Sequence, residues 1–174
     1  MTDPLLDDRL KKIKLLAMDL DGVLTNGTIY YGDHGDEIKG FHIQDGQGIV
    51  LAQRAKIRLV IITGRKSRVN ERRARELRVD RLIQECHEKG RALEKMAQKY
   101  RLKLEETAYI GDDLLDLAPM RKAGLAVAVR NAVSEVKSAA HYVTEKNGGE
   151  GAVRELIDRI LKAQGLWSEI TAKA

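Results

Sequence analysis

The segment Ile13-Lys14-Leu15-Leu16-Ala17-Met18 runs directly into Asp19-Leu20-Asp21-Gly22-Val23-Leu24-Thr25. An apolar run of this length is the size of a buried strand. The two carboxylates behind it stand where open α/β sheets bind their ligands, beyond the carboxyl end of a strand. Short apolar runs recur at Arg58 to Ile62, Ala108 to Ile110 and Leu125 to Val129. Longer mixed segments separate them and carry helical spacing, as in Leu93, Met96, Ala97 and Tyr100. This alternation predicts an α/β fold, a doubly wound parallel sheet with helices on both faces.

One stretch interrupts the pattern. Gly27 to Ile43 holds two alternating runs, Thr28-Ile29-Tyr30-Tyr31 and Glu37-Ile38-Lys39-Gly40-Phe41-His42-Ile43, around a turn containing Gly32 and Gly35, and this reads as a β-hairpin. It follows the first strand, where a parallel unit normally supplies a helix, so it is expected as an insertion at the carboxyl edge of the sheet that covers a site or makes an interface. Gly148-Gly149-Glu150-Gly151 precedes the amphipathic run Ala152, Val153, Leu156, Ile157, Ile160 and Leu161, expected as the final helix. The tail from Gln164 to Ala174, with the only tryptophan, Trp167, is expected to be mobile in a lone protomer.

With 174 residues and 43% hydrophobic content the chain is sized for one domain, 1–174, since one core serves about 100 to 200 residues. Aromatics make up only 4%, which leaves few rings on which bases can stack and argues against a nucleic-acid partner. The formal charge is +5, and Arg65, Lys66, Arg68, Arg72, Arg73, Arg75, Arg78 and Arg81 fall in one stretch. A solvated helix face accounts for most of them. Cys86 is the single cysteine, so no intrachain disulfide can form, and the first residues lack the pattern of a cleaved leader. No apolar run approaches the roughly 18 residues of a spanning helix. A soluble cytoplasmic protein with no membrane contact is expected.

Two adjacent acids repel each other. A turn cap is the structural reason to keep both, and a bound cation is the chemical one. Gly111-Asp112-Asp113-Leu114-Leu115-Asp116 also follows a short apolar strand, and strand ends converge in a doubly wound sheet, so the two acid clusters can share one hard cation. Mg²⁺ fits oxygen ligands and keeps waters that a phosphate can displace. Ile61-Ile62-Thr63-Gly64-Arg65 adds a hydroxyl, a nearby amide and a guanidinium, and Lys89 follows the candidate strand Leu82-Ile83-Gln84. Singly, Thr63 reads as a helix cap and Lys89 as a surface lysine. At four strand ends together they suit a phosphate. His34, His42, His87 and His141 show no metal-ligand spacing.

With these four motifs in order, the chain resembles haloacid dehalogenase superfamily phosphatases, from about Ile13 to Leu161. The hairpin in place of a helical cap, Asp21-Gly22-Val23-Leu24-Thr25, Asp45-Gly46 and Gly148-Gly149-Glu150-Gly151-Ala152-Val153-Arg154-Glu155 resemble the 3-deoxy-D-manno-octulosonate 8-phosphate phosphatase subfamily, whose members are Mg²⁺-dependent tetramers. The resemblance implies Asp19 as nucleophile and Asp21 as general acid and base, with Thr63 and Lys89 on the phosphoryl oxygens. Asp19, Asp112 and the Asp21 carbonyl would hold Mg²⁺, supported by Asp113 and Asp116. It further implies a small phosphorylated sugar acid as substrate, contacted by Thr25, Asp45, Gly64, Arg65 and Arg73. A homotetramer would place the hairpin and carboxyl tail at a neighbour's site mouth. Gln84-Glu85 replaces the usual Gln-Gly, and Arg130-Asn131-Ala132-Val133 replaces a small Asp-Ala loop, which leaves other nonulosonate phosphates, or a role as a phenylphosphate carboxylase subunit, as alternatives for the substrate. A non-catalytic nucleic-acid-binding protein is the remote alternative; it would need a larger basic face and stacking residues.

Overall fold

The computed structural model describes residues 4–172. Helix α1 (Pro4–Lys12) leads into β1 (Leu15–Met18), and a small hairpin follows, β2 (Tyr30–Tyr31) and β3 (Glu37–Ile38). The chain then alternates through α2 (Ile43–Arg54), β4 (Arg58–Ile62), α3 (Arg68–Glu76), β5 (Arg81–Ile83), α4 (Lys89–Lys99), β6 (Thr107–Gly111), α5 (Leu117–Lys122), β7 (Leu125–Ala128), α6 (Ser134–Ala139) and β8 (Tyr142–Val143). It closes with α7 (Ala152–Ala163) and α8 (Trp167–Ala172). Helix α1 and strand β8 lie outside the elements that the sequence pattern marks.

All six strands of the main sheet run parallel, in the order β5-β4-β1-β6-β7-β8. From β1 the chain winds outward through β4 to β5, and from β6 outward through β7 to β8. The winding therefore reverses between β1 and β6, and the crevice that opens at such a reversal is where an α/β sheet binds its ligand. Met18, the last residue of β1, pairs with Ile61 on one side and Ile110 on the other, so the loops that follow these three strands share one edge.

Strands buried on both faces explain the unbroken apolar runs: every residue of β1, β6 and β7 is buried. Helices α1, α2, α7 and α8 pack together as one layer, and α4, α5 and α6 as another. Among the described residues no helix is long and apolar enough to cross a membrane.

Two expectations need correction. The hairpin strands are two residues each, and Ile43 is the first residue of α2 rather than the end of a strand. The tail, as far as it is described, is not free: Ile170 is buried in the core, Leu166 and Trp167 pack against it, and the Gln164 amide donates to the Leu10 and Ile13 carbonyls. Ile13 precedes β1 and Asp19 follows it, so α8 lies at the edge of the sheet opposite the carboxylates of its own chain. Its apolar side chains find their partners on α2 and α7. Residues 173–174 lie outside the described residues.

Candidate active site

The loop after β1 begins with Asp19, whose Oδ1 accepts the Leu20 amide at 2.7 Å and whose Oδ2 accepts Lys89 Nζ at 2.6 Å. Lys89 is the first residue of α4, its side chain 1% exposed, and its ammonium also donates to Asp116 Oδ1 at 2.8 Å. Asp116, fully buried, accepts in addition from the Tyr109 hydroxyl and from the amides of Asp112 and Asp113. Both its oxygens are thus occupied within the chain. It fixes the turn after β6 and anchors Lys89.

Three carboxylates, Asp19, Asp112 and Asp116, face one ammonium, and burial makes the excess negative charge costly. Burial first, then the charge of Asp116, push Asp19 up to about 6, although Lys89 opposes the shift. Burial, Asp116 and Asp19 together push Asp112 up to about 7. Burial alone would lower Lys89, but Asp19 and Asp116 outweigh it and raise it.

These shifts fix a pH dependence for the metal-free protein. In the unfolded chain both acids titrate near their ordinary value of about 4, whereas the folded chain holds the protons to higher pH. Raised carboxyl pKa values mean that stability from these groups is complete below about pH 4 and is lost as the pH rises through 6 to 7. Chemical denaturation of EDTA-treated protein is expected to give a lower midpoint at pH 8 than at pH 5, and added Mg²⁺ to recover more at pH 8; equal gains at both pH values would contradict the cluster.

One observation tests whether a cation fits. Asp112 Oδ1 is buried with no hydrogen-bond partner, and ligand oxygens of Asp19, Asp112 and Asp116 lie within 4.8 Å of one another. Because Asp116 is saturated, Asp19 and Asp112 are the side chains free to ligate, an all-oxygen set that suits Mg²⁺. The backbone is shaped for the same purpose: Gly22 has φ +89°, and a Cβ on it would run into the Asp112 carboxylate. A Cβ on Gly148 would strike the Gly22 carbonyl, so the late glycine loop buttresses the loop after β1.

The remaining motif residues divide into two groups. Thr63, buried after β4, accepts the Arg65 amide at 3.4 Å on its hydroxyl, and Gly64 faces Leu115 of the loop after β6; these place the second motif beside the fourth. Arg65 donates to the Tyr31 hydroxyl at 2.9 Å and lies 3.9 Å from Asp21 Oδ2. Arg73 stacks on Phe41 and lines a cavity of about 300 Å³ with Glu37, Lys39 and Val69; none of the motif carboxylates lines that cavity.

Three residues expected near ligand are engaged within the chain. The Thr25 hydroxyl, fully buried, accepts the amides of Gly22 and Gly27 and braces the turn. Asp45, 1% exposed, accepts the amides of Gly151 and Arg154 and so caps the start of α7. Asp113 is exposed, and its carboxylate accepts the Leu114 amide as the cap of a 3₁₀ turn. One residue went unnoticed in the sequence. Lys39 directly follows β3, and its buried ammonium lies 2.6 Å from Asp21 Oδ1. A lysine on a hairpin reads as solvated; the available signal was Glu37 alternating with it, while Ile38 between them is 56% exposed.

A nucleophile-type aspartate after the first strand of a parallel sheet, an aspartate two residues on, a buried lysine and a second acid cluster at the switch point together define a haloacid dehalogenase-like hydrolase, and the model of that family matches residues 81–157. The chain is 43% identical over 161 residues to the 3-deoxy-D-manno-octulosonate 8-phosphate phosphatase of Escherichia coli, covering 92% of this chain and 86% of that protein. It is 43% identical over 164 residues to the phosphatase of that name from Yersinia pestis, covering 92% and 88%. The Moraxella catarrhalis phosphatase, solved with magnesium ion, phosphate ion and a KDO molecule, matches with a TM-score of 0.94 at 42% identity over 97% of both chains. The cobalt-bound Haemophilus influenzae phosphatase matches at 0.89 and 39%, over 92% of this chain and 94% of that one. This chain belongs to the 3-deoxy-D-manno-octulosonate 8-phosphate phosphatase family.

Proposed function

We propose that this chain hydrolyses the phosphomonoester of 3-deoxy-D-manno-octulosonate 8-phosphate. The observation that carries the reading is Asp19 held by Lys89 at 2.6 Å at the β1/β6 crevice, with Asp112 in the same cluster; the relatives' substrate supports it. Asp19 attacks phosphorus, so the bond from its oxygen to phosphorus forms as the bond to the sugar alkoxide breaks. Asp21 gives that alkoxide its proton, then takes one from the water that attacks the aspartyl-phosphate and releases inorganic phosphate. Lys89 neutralises charge on the phosphoryl oxygens, the Thr63 hydroxyl donates a hydrogen bond to them, and Arg65 faces the anionic sugar acid. Asp19, Asp112 and the Asp21 carbonyl would hold Mg²⁺, with Asp116 and Asp113 fixing the turn behind them, and the bound ion would supply the positive charge that lets phosphate approach the nucleophile.

Phosphate release from a panel of sugar-acid phosphates with Mg²⁺ tests this. The eight-carbon substrate is expected to give the highest kcat/KM and to lose turnover in EDTA. A preference for a nine-carbon nonulosonate phosphate would overturn the substrate, and no release from any compound would overturn the reaction.

The proposed compartment is the cytoplasm, and the proposed partner is the chain itself. The hairpin turns apolar groups outward: Tyr30 and Ile38, paired across the strands, are 58% and 56% exposed. Two-residue strands are marginal alone and gain by pairing with copies of themselves. Light scattering at micromolar concentration is expected to give the mass of a tetramer, and a monomer would refute this assembly.

A further inference from the structure

The Lys39 ammonium donates to Asn70 Oδ1 at 2.9 Å and forms ion pairs with Asp21 Oδ1 at 2.6 Å and Glu37 Oε1 at 3.1 Å. Its side chain has no exposed surface. An ammonium so placed is tolerable only when paired, and its one hydrogen bond and two ion pairs hold it in place. Its partners come from three separate parts of the chain: Asp21 from the loop after β1, Glu37 from the hairpin and Asn70 from α3. Asn70, itself buried, is held in turn through its amide on Gln84 Oε1. Neither Asp21 oxygen has a hydrogen-bond partner; Oδ1 is held by its short ion pair with Lys39, and Oδ2 has Arg65 Nε 3.9 Å away. The short ion pair therefore fixes the side of Asp21 that faces Lys39, and Oδ2 is left for chemistry.

We propose that Lys39 is a positioning residue for Asp21: it holds the carboxylate in the orientation from which it serves the leaving alkoxide and the attacking water, and it makes docking of the hairpin a condition for both proton transfers. This rests on the acid and base role of Asp21 given above. A residue acting through Asp21 alters only the steps that Asp21 serves. Attack by Asp19 on a substrate with a good leaving group needs no proton, whereas hydrolysis of the aspartyl-phosphate always does.

The test compares Lys39→Met, Asp21→Asn, their double variant and the parent, each checked for its melting temperature and assembly. With p-nitrophenyl phosphate and Mg²⁺, Lys39→Met is expected to keep the first-turnover burst of p-nitrophenolate within about threefold while steady-state turnover falls about 100-fold and phosphoenzyme accumulates. On the sugar-acid phosphate kcat is expected to fall similarly, with KM changed less than threefold. Asp21→Asn should show the same split, and the double variant should be no slower than Asp21→Asn alone. If Lys39→Met does not fold, Asn70→Ala, which removes one anchor and keeps the charge, is expected to shift the same partition by about fivefold. Burst and steady state falling together, losses that multiply in the double variant, or an unchanged Asn70→Ala would overturn the proposal while an Asp21→Asn split leaves the reaction scheme standing. Full turnover by Asp21→Asn on both substrates would overturn both.

Discussion

Asp19→Asn is expected to abolish turnover, by a factor on the order of 10⁴ or more, and to leave the protein folded. An amide fills the same space but offers no carboxylate oxygen to attack phosphorus. The contacts of Asp19 predict a secondary cost. Both its oxygens accept, one from the Leu20 amide and the other from Lys89 Nζ, and an asparagine has a single acceptor, so either orientation sets an NH₂ against a donor. That mismatch costs about 1–3 kcal/mol, offset in part because one negative charge leaves a cluster of three. Rapid-quench phosphate release and urea unfolding check the two halves. Activity within tenfold of the parent would rule out Asp19 as nucleophile.

Lys89→Met is expected to damage stability and catalysis together. The side chain is 1% exposed and bonds both Asp19 and Asp116, which are themselves buried. Removing the ammonium leaves two carboxylates without their cation, a change that costs about 3–5 kcal/mol for a buried pair. Lys89 is also what holds Asp19 down against burial and the charge of Asp116. Without it, Asp19 rises above about 6 and its nucleophilic anion becomes scarcer at neutral pH. Together with loss of the contact to the phosphoryl oxygens that the proposed mechanism gives Lys89, a fall in kcat on the order of 10³ is expected. Steady-state kinetics across pH 6 to 9 and thermal unfolding read the two effects, and unfolding equal to the parent's would contradict the buried ion pair.

The parallel sheet was legible because strands covered on both faces must be continuously apolar, and Leu15 to Met18, Leu59 to Ile62 and Leu125 to Ala128 show this without reference to anything distant. Asp19, Asp112 and Lys89 were legible for a related reason. Each stands within a few residues of a strand end, and a doubly wound sheet brings such ends together whatever the intervening helices are. Roles that depend on contacts across the chain were not legible. Asp45 is an acid near the hairpin, but the amides it caps belong to Gly151 and Arg154, more than 100 residues away. Thr25 and Arg73 likewise took their places from the packing around them, one inside a turn and the other on Phe41.

The hairpin shows the limit most clearly. Alternation gives two faces to a strand but does not say which one meets the protein. Here the charged face, Glu37 and Lys39, turns inward to meet Asp21, Asn70 and Arg65, and Ile38 turns out. The tail went the same way: it read as mobile, and only the fold showed that α2 and α7 cover its apolar residues. The sequence by itself determined the sheet and the residues at its carboxyl edge, because those follow from local pattern and strand order. The tertiary structure decided which charged groups are buried and with what partners, because the cost of burying a charge depends on atoms that the chain brings together only when it folds.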